Sequence, residues 1–265
     1  MGIVNVTPDS FSDGGLFFDK EAAVAHGEAL AAQGADIIDV GGESTRPFSE
    51  SVPAPEELRR VVPVIEELAS RLSIALSIDT NKSEVARHAI DAGACMVNDI
   101  GALRLDPHMA GVVAEAGVPV VLMHMKGTPR AMQINPRYED VVGEVKRFLA
   151  QAMERAEKAG IERSNIVVDP GIGFGKTVTH NLLLIKHLSA FRALGVPILI
   201  GPSRKSFITK ILGSGDQCRE IGTQAAVAAA ALQGADIIRV HDVARAKQTL
   251  RLVDAIKDPT TSPVS

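Results

Sequence analysis

Three polar residues, Asp79, Asn98 and Asp169, each close a short apolar run: SIDT, CMVNDIG and NIVVDPG. A carboxylate or amide in that position either caps the next helix or meets a ligand. Three of them on strand ends that open into one barrel mouth favour the ligand. Two carboxylates and an amide suit a molecule rich in ring N–H donors. The edge of a 2-aminopyrimidinone presents an N–H pair that a carboxylate matches in bidentate fashion. Other runs end in hydroxyls and cations. GPSRKS (201–206) places Ser203 and Lys205 where a carboxylate, phosphate or carbonyl would find donors. Arg239 and His241 close IIRVHD two residues apart, so both face one way from an extended chain. Together they form a pyrophosphate clamp.

Other segments carry weaker signals. DPGIGFGK (169–176) is not a phosphate loop, because Pro170 stands where the first glycine of that motif belongs. Nor is it a dinucleotide fingerprint. It reads as a flexible wall in which Phe174 offers an apolar face. His124 ends another apolar run and reads as a core or supporting residue. In GGESTRP (41–47), Arg46 is placed to close over an anion.

The elements behind these residues alternate. Eight apolar runs end in polar residues: GIVNV, ADIIDVGGES, IALSIDT, CMVNDIG, VPVVLMHM, NIVVDPG, VPILIGPSRK and ADIIRVHD. Between them lie stretches of helical periodicity at about 19–33, 55–72, 82–92, 107–116, 139–159, 179–193, 219–233 and 243–257. Pro63 is expected to kink the second or mark its start. Thr80 or Asn81 is the expected cap of the third. Several helices end in glycine two residues before a strand, as in QGADIIDV and LGVPILIG, which fits a left-handed C-terminal cap. Eightfold alternation predicts an α/β fold, a (β/α)8 TIM barrel of one domain over 1–257. Its long loops follow strands one (7–18), two (41–54) and five (126–138). The polar tail 258–265 is expected to be disordered. An open doubly wound sheet is the rival, disfavoured by the count and by the lack of a phosphate-binding turn after strand one.

Composition sets outer bounds. The 265 residues are 46% hydrophobic but only 3% aromatic, so an aliphatic barrel interior is expected. The net charge of −4, with scattered Lys and Arg, speaks against a nucleic-acid face. No run reaches the roughly 18 apolar residues of a membrane span. Cys95 and Cys218 fit no metal or redox spacing and read as free thiols in a reducing cytoplasm, with Cys95 in the core.

NVTPDSFSDGG (5–15), DVGGESTRP (39–47), SIDT (77–80), NDI (98–100), LMHMKGTP (122–129), DPGIGFGK, GPSRKS and RVHD (239–242), in this order, resemble the dihydropteroate synthase family from residue 2 to about 257. The resemblance implies folate synthesis: 6-hydroxymethyl-7,8-dihydropterin pyrophosphate and p-aminobenzoate give 7,8-dihydropteroate and pyrophosphate. It implies that Asp79, Asn98 and Asp169 hold the pterin, with Lys205 on its carbonyl side and Arg239 over the ring. Asn5, Arg239 and His241 would hold pyrophosphate, Asn5 ligating Mg2+. Ser203 and Arg46 would take the p-aminobenzoate carboxylate. Phe174, Pro47 and the Lys205 stem would sandwich its ring. Thr45, Phe11 and Asp13 would belong to closing loops. Sulfonamide sensitivity and a homodimer through the last helices are also implied. The family usually has a segment ahead of the first strand, so how the barrel's base closes is left open. Asp79, Lys205, Arg239 and His241 are the expected catalytic set.

Two alternatives share part of this pattern. A pterin-dependent methyltransferase has no use for the pyrophosphate donors. A non-catalytic pterin carrier would not need Asn5, Arg239 and His241 together.

Overall fold

All eight apolar runs form parallel strands, because each is covered on both faces and needs no polar alternation. A computed structural model describes residues 1–7, 16–44, 51–128 and 131–260. The order is β1 (Gly2–Asn5), α1 (Leu16–Ala32), β2 (Ile37–Gly41), α2 (Ala54–Arg71), β3 (Ala75–Asp79), α3 (Ser83–Asp91), β4 (Met96–Asp99) and α4 (Met109–Ala116). Then come β5 (Val120–Met123), α5 (Val141–Lys158), β6 (Ile166–Asp169), α6 (Val178–Lys186), β7 (Leu199–Ile200), α7 (Ser206–Leu212), α8 (Asp216–Leu232), β8 (Ile237–Ile238) and α9 (Val243–Lys257).

Strands β1 to β6 pair in sequence order, and β7 pairs with β8. Two parallel bridges, Val168 with Ile198 and Gly2 with Val240, join these groups into a ring. Ile3 N–H donates to the Val240 carbonyl at 3.1 Å, and Val168 N–H to that of Pro197 at 3.0 Å. The expected (β/α)8 barrel is therefore closed, which leaves no open sheet edge.

Side-chain parity divides the core. Val4, Ile38, Val40, Ile78, Val97, Leu122, Val168, Ile200 and Val240 face the helices. Met1, Ile37, Met96, Val121, Val167, Leu199 and Ile237 fill the base of the interior. The interior is aliphatic only there. One layer higher it turns polar, with Asp39, Ser77, Asn98 and Asp169 all buried.

Several local expectations are corrected. Helix α2 runs unbroken through Pro63, since Val61, Val64, Ile65 and Leu68 around it are fully buried and hold both turns in place. Helix α3 is capped from outside: Lys82 precedes it without a side-chain cap, and Asp106 accepts from Ser83 N–H at 2.7 Å. Thr80 instead accepts from Lys82 N–H. The expected single helix over 179–193 breaks at His187 and continues as a 3-10 segment, Leu188–Leu194. Cys95 is exposed rather than core, because it precedes β4 at the base of the barrel. The left-handed caps are as expected, with φ of 65° at Gly117 and 71° at Gly195. Asp140 caps α5, accepting from Gly143 N–H at 3.0 Å.

Leu149, on α5, is fully buried in the helix-side core. Leu149→Ala is expected to lower unfolding stability by about 2–5 kcal/mol. Chemical denaturation measures this, and a loss well under 1 kcal/mol would contradict the assigned packing.

Candidate active site

The polar ends of the strands meet at the C-terminal mouth of the barrel, where barrel enzymes keep their chemistry. The register explains how. Gly41 stands opposite Asp79, and Asp79 opposite Asn98. Met123 stands opposite Asp169, and Asn5 opposite Gly41. Each of these positions shares the inward parity of the base layer.

Arg239 lies at the centre. Its Nη2 donates to Asp79 Oδ2 at 2.7 Å, and its Nε to Asp39 Oδ2 at 2.6 Å. Asn98 Nδ2 donates to the same Asp39 oxygen at 2.9 Å. The structure thus brings Asp79, Asn98 and Arg239 together through a residue that the reading of strand ends passed over. Asp39 sits inside ADIIDVGGES, two residues before the end of β2, and not at the end of the run. A charge inside an otherwise apolar parallel strand was the visible signal. Glu43 is drawn off the mouth by Lys82, which also bonds the fully buried Glu57.

The β6 end forms a second group. Asp169 accepts from Gly171 N–H at 2.7 Å. Gly171 has φ of 71°, and a Cβ there would lie 2.0 Å from the His124 carbonyl oxygen, so only glycine fits. Three successive carbonyls are held by side chains: Gly173 by Gln133, Phe174 by Lys176 at 2.9 Å, and Gly175 by Tyr138 at 2.8 Å. This wall is pinned, not flexible as expected. Phe174 is buried beside Ile100, Met123, Met125 and Met132. Lys205 Nζ lies 4.2 Å from the centre of its ring, a cation–π contact. His124 is buried and takes a hydrogen bond from Lys176 at 3.0 Å, a supporting role. Lys176 closes the DPGIGFGK motif with no role of its own marked there, and Gln133 and Tyr138 have no sequence signal beyond their nearness to motifs.

The ends of β7 and β8 are tied by Ser203, whose hydroxyl lies 3.0 Å from His241 Nδ1 and accepts from His241 N–H at 3.3 Å. The short helix α7 starts directly after Lys205, as expected for an anion-binding end of a barrel. Thr45, Arg46, Pro47, Phe11 and Asp13 lie outside the described residues, as does 261–265 of the tail. Among the described residues, no three His, Cys, Asp or Glu side chains are grouped to hold a metal ion.

Burial dominates the electrostatics. It pushes the Asp79 carboxyl up to about 7, with Arg239 opposing, and Asp169 up to about 6. It pulls Lys205 down to about 8, aided by Arg239, and Lys176 down to about 7. His124 is lowered by burial and then by Lys176, so it stays neutral. Three carboxylates (Asp39, Asp79, Asp169) face three cations (Arg239, Lys205, Lys176). The mouth can therefore exchange internal pairs for a ligand carrying both N–H donors and phosphate.

A closed barrel with such a mouth defines an enzyme that binds a small polar heterocycle. The family model described as "Pterin binding enzyme" matches residues 1–241. Dihydropteroate synthase of Escherichia coli strain K12 is 47% identical over 255 residues, covering 96% of this chain and 90% of that one. The Xanthomonas albilineans dihydropteroate synthase structure with 4-aminobenzoic acid is 50% identical, with a TM-score of 0.92, covering 97% of this chain and 92% of that one. The Yersinia pestis dihydropteroate synthase structure with a sulfonamide drug complex is 45% identical, also at 0.92, covering 97% and 93%. The chain belongs to the pterin-binding enzymes, in the dihydropteroate synthase family.

As acceptors of ring N–H groups, the role expected for them from the sequence, Asp79 and Asp169 bind more strongly when ionised. Since both are raised, pterin affinity is expected to be full only well above pH 7 and to fall as pH drops through about 7 and then about 6. Calorimetric titration with a pterin from pH 8.5 to 5 measures this; an affinity that is flat over that range would exclude the two carboxylates as the pterin contacts.

Proposed function

We propose that this chain condenses 6-hydroxymethyl-7,8-dihydropterin pyrophosphate with p-aminobenzoate, giving 7,8-dihydropteroate and pyrophosphate, with residues 1–257 acting as one barrel domain. The observation that carries the reading is the joining of two recognition sets in one mouth. Asp79, Asn98 and Asp169 suit the pterin edge, while Arg239, Lys205 and His241 suit the pyrophosphate and the pterin carbonyl.

The chemistry needs no protein nucleophile. The bond from the pterin methylene to the pyrophosphate oxygen breaks, and the oxygen keeps the electron pair. Arg239 and His241 take up the leaving charge. The methylene is left cationic, and the Asp79 carboxylate beside it stabilises that charge in a buried site. The arylamine nitrogen then attacks the carbon and gives up a proton. The p-aminobenzoate ring lies against Phe174 and the Lys205 stem, with Pro47 on its other face. Its carboxylate is met by Ser203 and Arg46. Thr45, Phe11 and Asp13 belong to the two loops that exclude water, which would otherwise trap the cation.

Mg2+ fits this site as a companion of the pyrophosphate. A hard cation needs only one or two protein oxygens when phosphate and water supply the rest. Asn5, half-buried at the mouth, offers one amide oxygen. When bound, the ion neutralises pyrophosphate charge. Leu252 and Ile256, four apart on α9, and Leu232 on α8 are exposed apolar residues, and we place a homodimer contact there. The unpaired Cys95 and Cys218 support a cytoplasmic setting.

Pyrophosphate release that depends on p-aminobenzoate and Mg2+ is the expected activity; none in that assay would refute the reading. Lys205→Ala is expected to lower kcat/KM by about 100-fold or more, with melting unchanged. Near-normal turnover would mean that the pterin pose is wrong. Because GGESTRP and DPGIGFGK are kept, sulfonamides are expected to compete with p-aminobenzoate at concentrations that inhibit a sulfonamide-sensitive homologue. Steady-state inhibition checks this, and the absence of competition would overturn it.

A further inference from the structure

Arg239 has two carboxylate partners, and they are not equivalent. Asp79 closes β3 at the rim, with its side chain 12% exposed. Asp39 is fully buried. It stands opposite Ser77 in the register, while Asp79 stands opposite Gly41, two residues further up β2. At roughly 3.3 Å of rise per residue, Asp39 lies a layer about 7 Å below Asp79. A ligand in the mouth reaches Asp79 and cannot reach Asp39. Asp79 Oδ2 already accepts from Arg239 Nη2, so a ligand N–H brought to that oxygen competes with the guanidinium for it.

We infer that Asp39 is the permanent partner of Arg239 and Asp79 the exchangeable one: a bound pterin takes Asp79, while the guanidinium stays anchored on Asp39 through Nε and turns its Nη2 edge to the ligand. This rests on the pterin reading above and assigns Asp39 as a positioning residue within it. The same Asp39 oxygen also aims Asn98, so one buried atom sets two groups that meet the ligand. Its other oxygen accepts no hydrogen bond from the described residues, so these two donors carry the compensation of its charge. Without Asp39, freeing Asp79 would leave a buried guanidinium with no carboxylate, which is strongly penalised. The charged groups facing Asp79 are Arg239 just after β8, Asp39 on β2, Glu57 on α2 and Lys205 after β7. Neutralising Asp39 removes a like charge and leaves Arg239 to Asp79 alone. Both changes make Asp79 release its proton more easily.

Two measurements test this. In the unmodified protein, 15N-arginine NMR is recorded with and without 6-hydroxymethyl-7,8-dihydropterin pyrophosphate, the Arg239 signals being assigned with Arg239→Lys. The Nη2 resonance is expected to move while Nε stays. Equal movement, or movement of neither at saturation, overturns the inference. In Asp39→Asn, KM for the pterin substrate is expected to rise about tenfold or more while that for p-aminobenzoate stays within about twofold. The carbon-detected titration of Asp79 in the ligand-free variant is expected to shift to lower pH. Parallel rises in both KM values with an unmoved titration would mark Asp39 as merely structural. Should Asp39→Asn fail to fold, the NMR of the unmodified protein decides. Turnover in the same preparation reports separately on the synthase reading: a split Nη2 and Nε response without turnover keeps Asp39's role and defeats that reading.

Discussion

A guanidinium held between carboxylates inside a closed barrel is the constraint on which this structure turns. Arg239 directly follows the last strand, Asp39 lies on the second and Asp79 on the third, so the pairings form only when the ring closes. The two bridges that close it, Gly2 with Val240 and Val168 with Ile198, are therefore as much part of the site as the charged groups. Burying these ions is costly, and their mutual pairing offsets the cost. The result is a mouth whose charged groups are paired with one another. Burial also explains why carboxylates are raised and lysines lowered in the same pocket: it disfavours every charge, whatever its sign.

The apolar half of the site is built by a different device. The segment after β6 has little side-chain substance of its own to hold it. Its shape comes from Gln133, Lys176 and Tyr138 donating to its successive carbonyls, and from Asn181 accepting the Gly173 N–H at 2.8 Å. Backbone groups that a strand or helix would satisfy are here satisfied by side chains. Phe174 is thereby presented as a fixed wall, with Lys205 over its ring. Pinning matters because a wall held in place can orient whatever ring packs against it.

Much of this was legible along the chain. Alternation gave the barrel, because a parallel strand covered on both sides needs an unbroken apolar run and a helix between such runs needs a 3.6-residue stripe. Polar residues ending those runs marked Asp79, Asn98, Asp169, Ser203, Lys205, Arg239 and His241, and the structure gathers all of them at one mouth. Expectations failed where a long-range partner overrode a local rule. The cap of α3 comes from Asp106, and a glycine-rich loop that reads as flexible has its carbonyls held by Gln133, Tyr138 and its own Lys176.

By itself, then, the sequence determined which residue types end each strand, how many strands there are, and the parity that turns Asp79, Asn98 and Arg239 inward. These follow from the fixed periods of strand and helix. Only the tertiary structure decided that Asp39 is the hub. A carboxylate one layer below the rim looks, along the chain, like any interruption of an apolar run. Its partners lie 59 and 200 residues away, and no local period reaches across a closed ring.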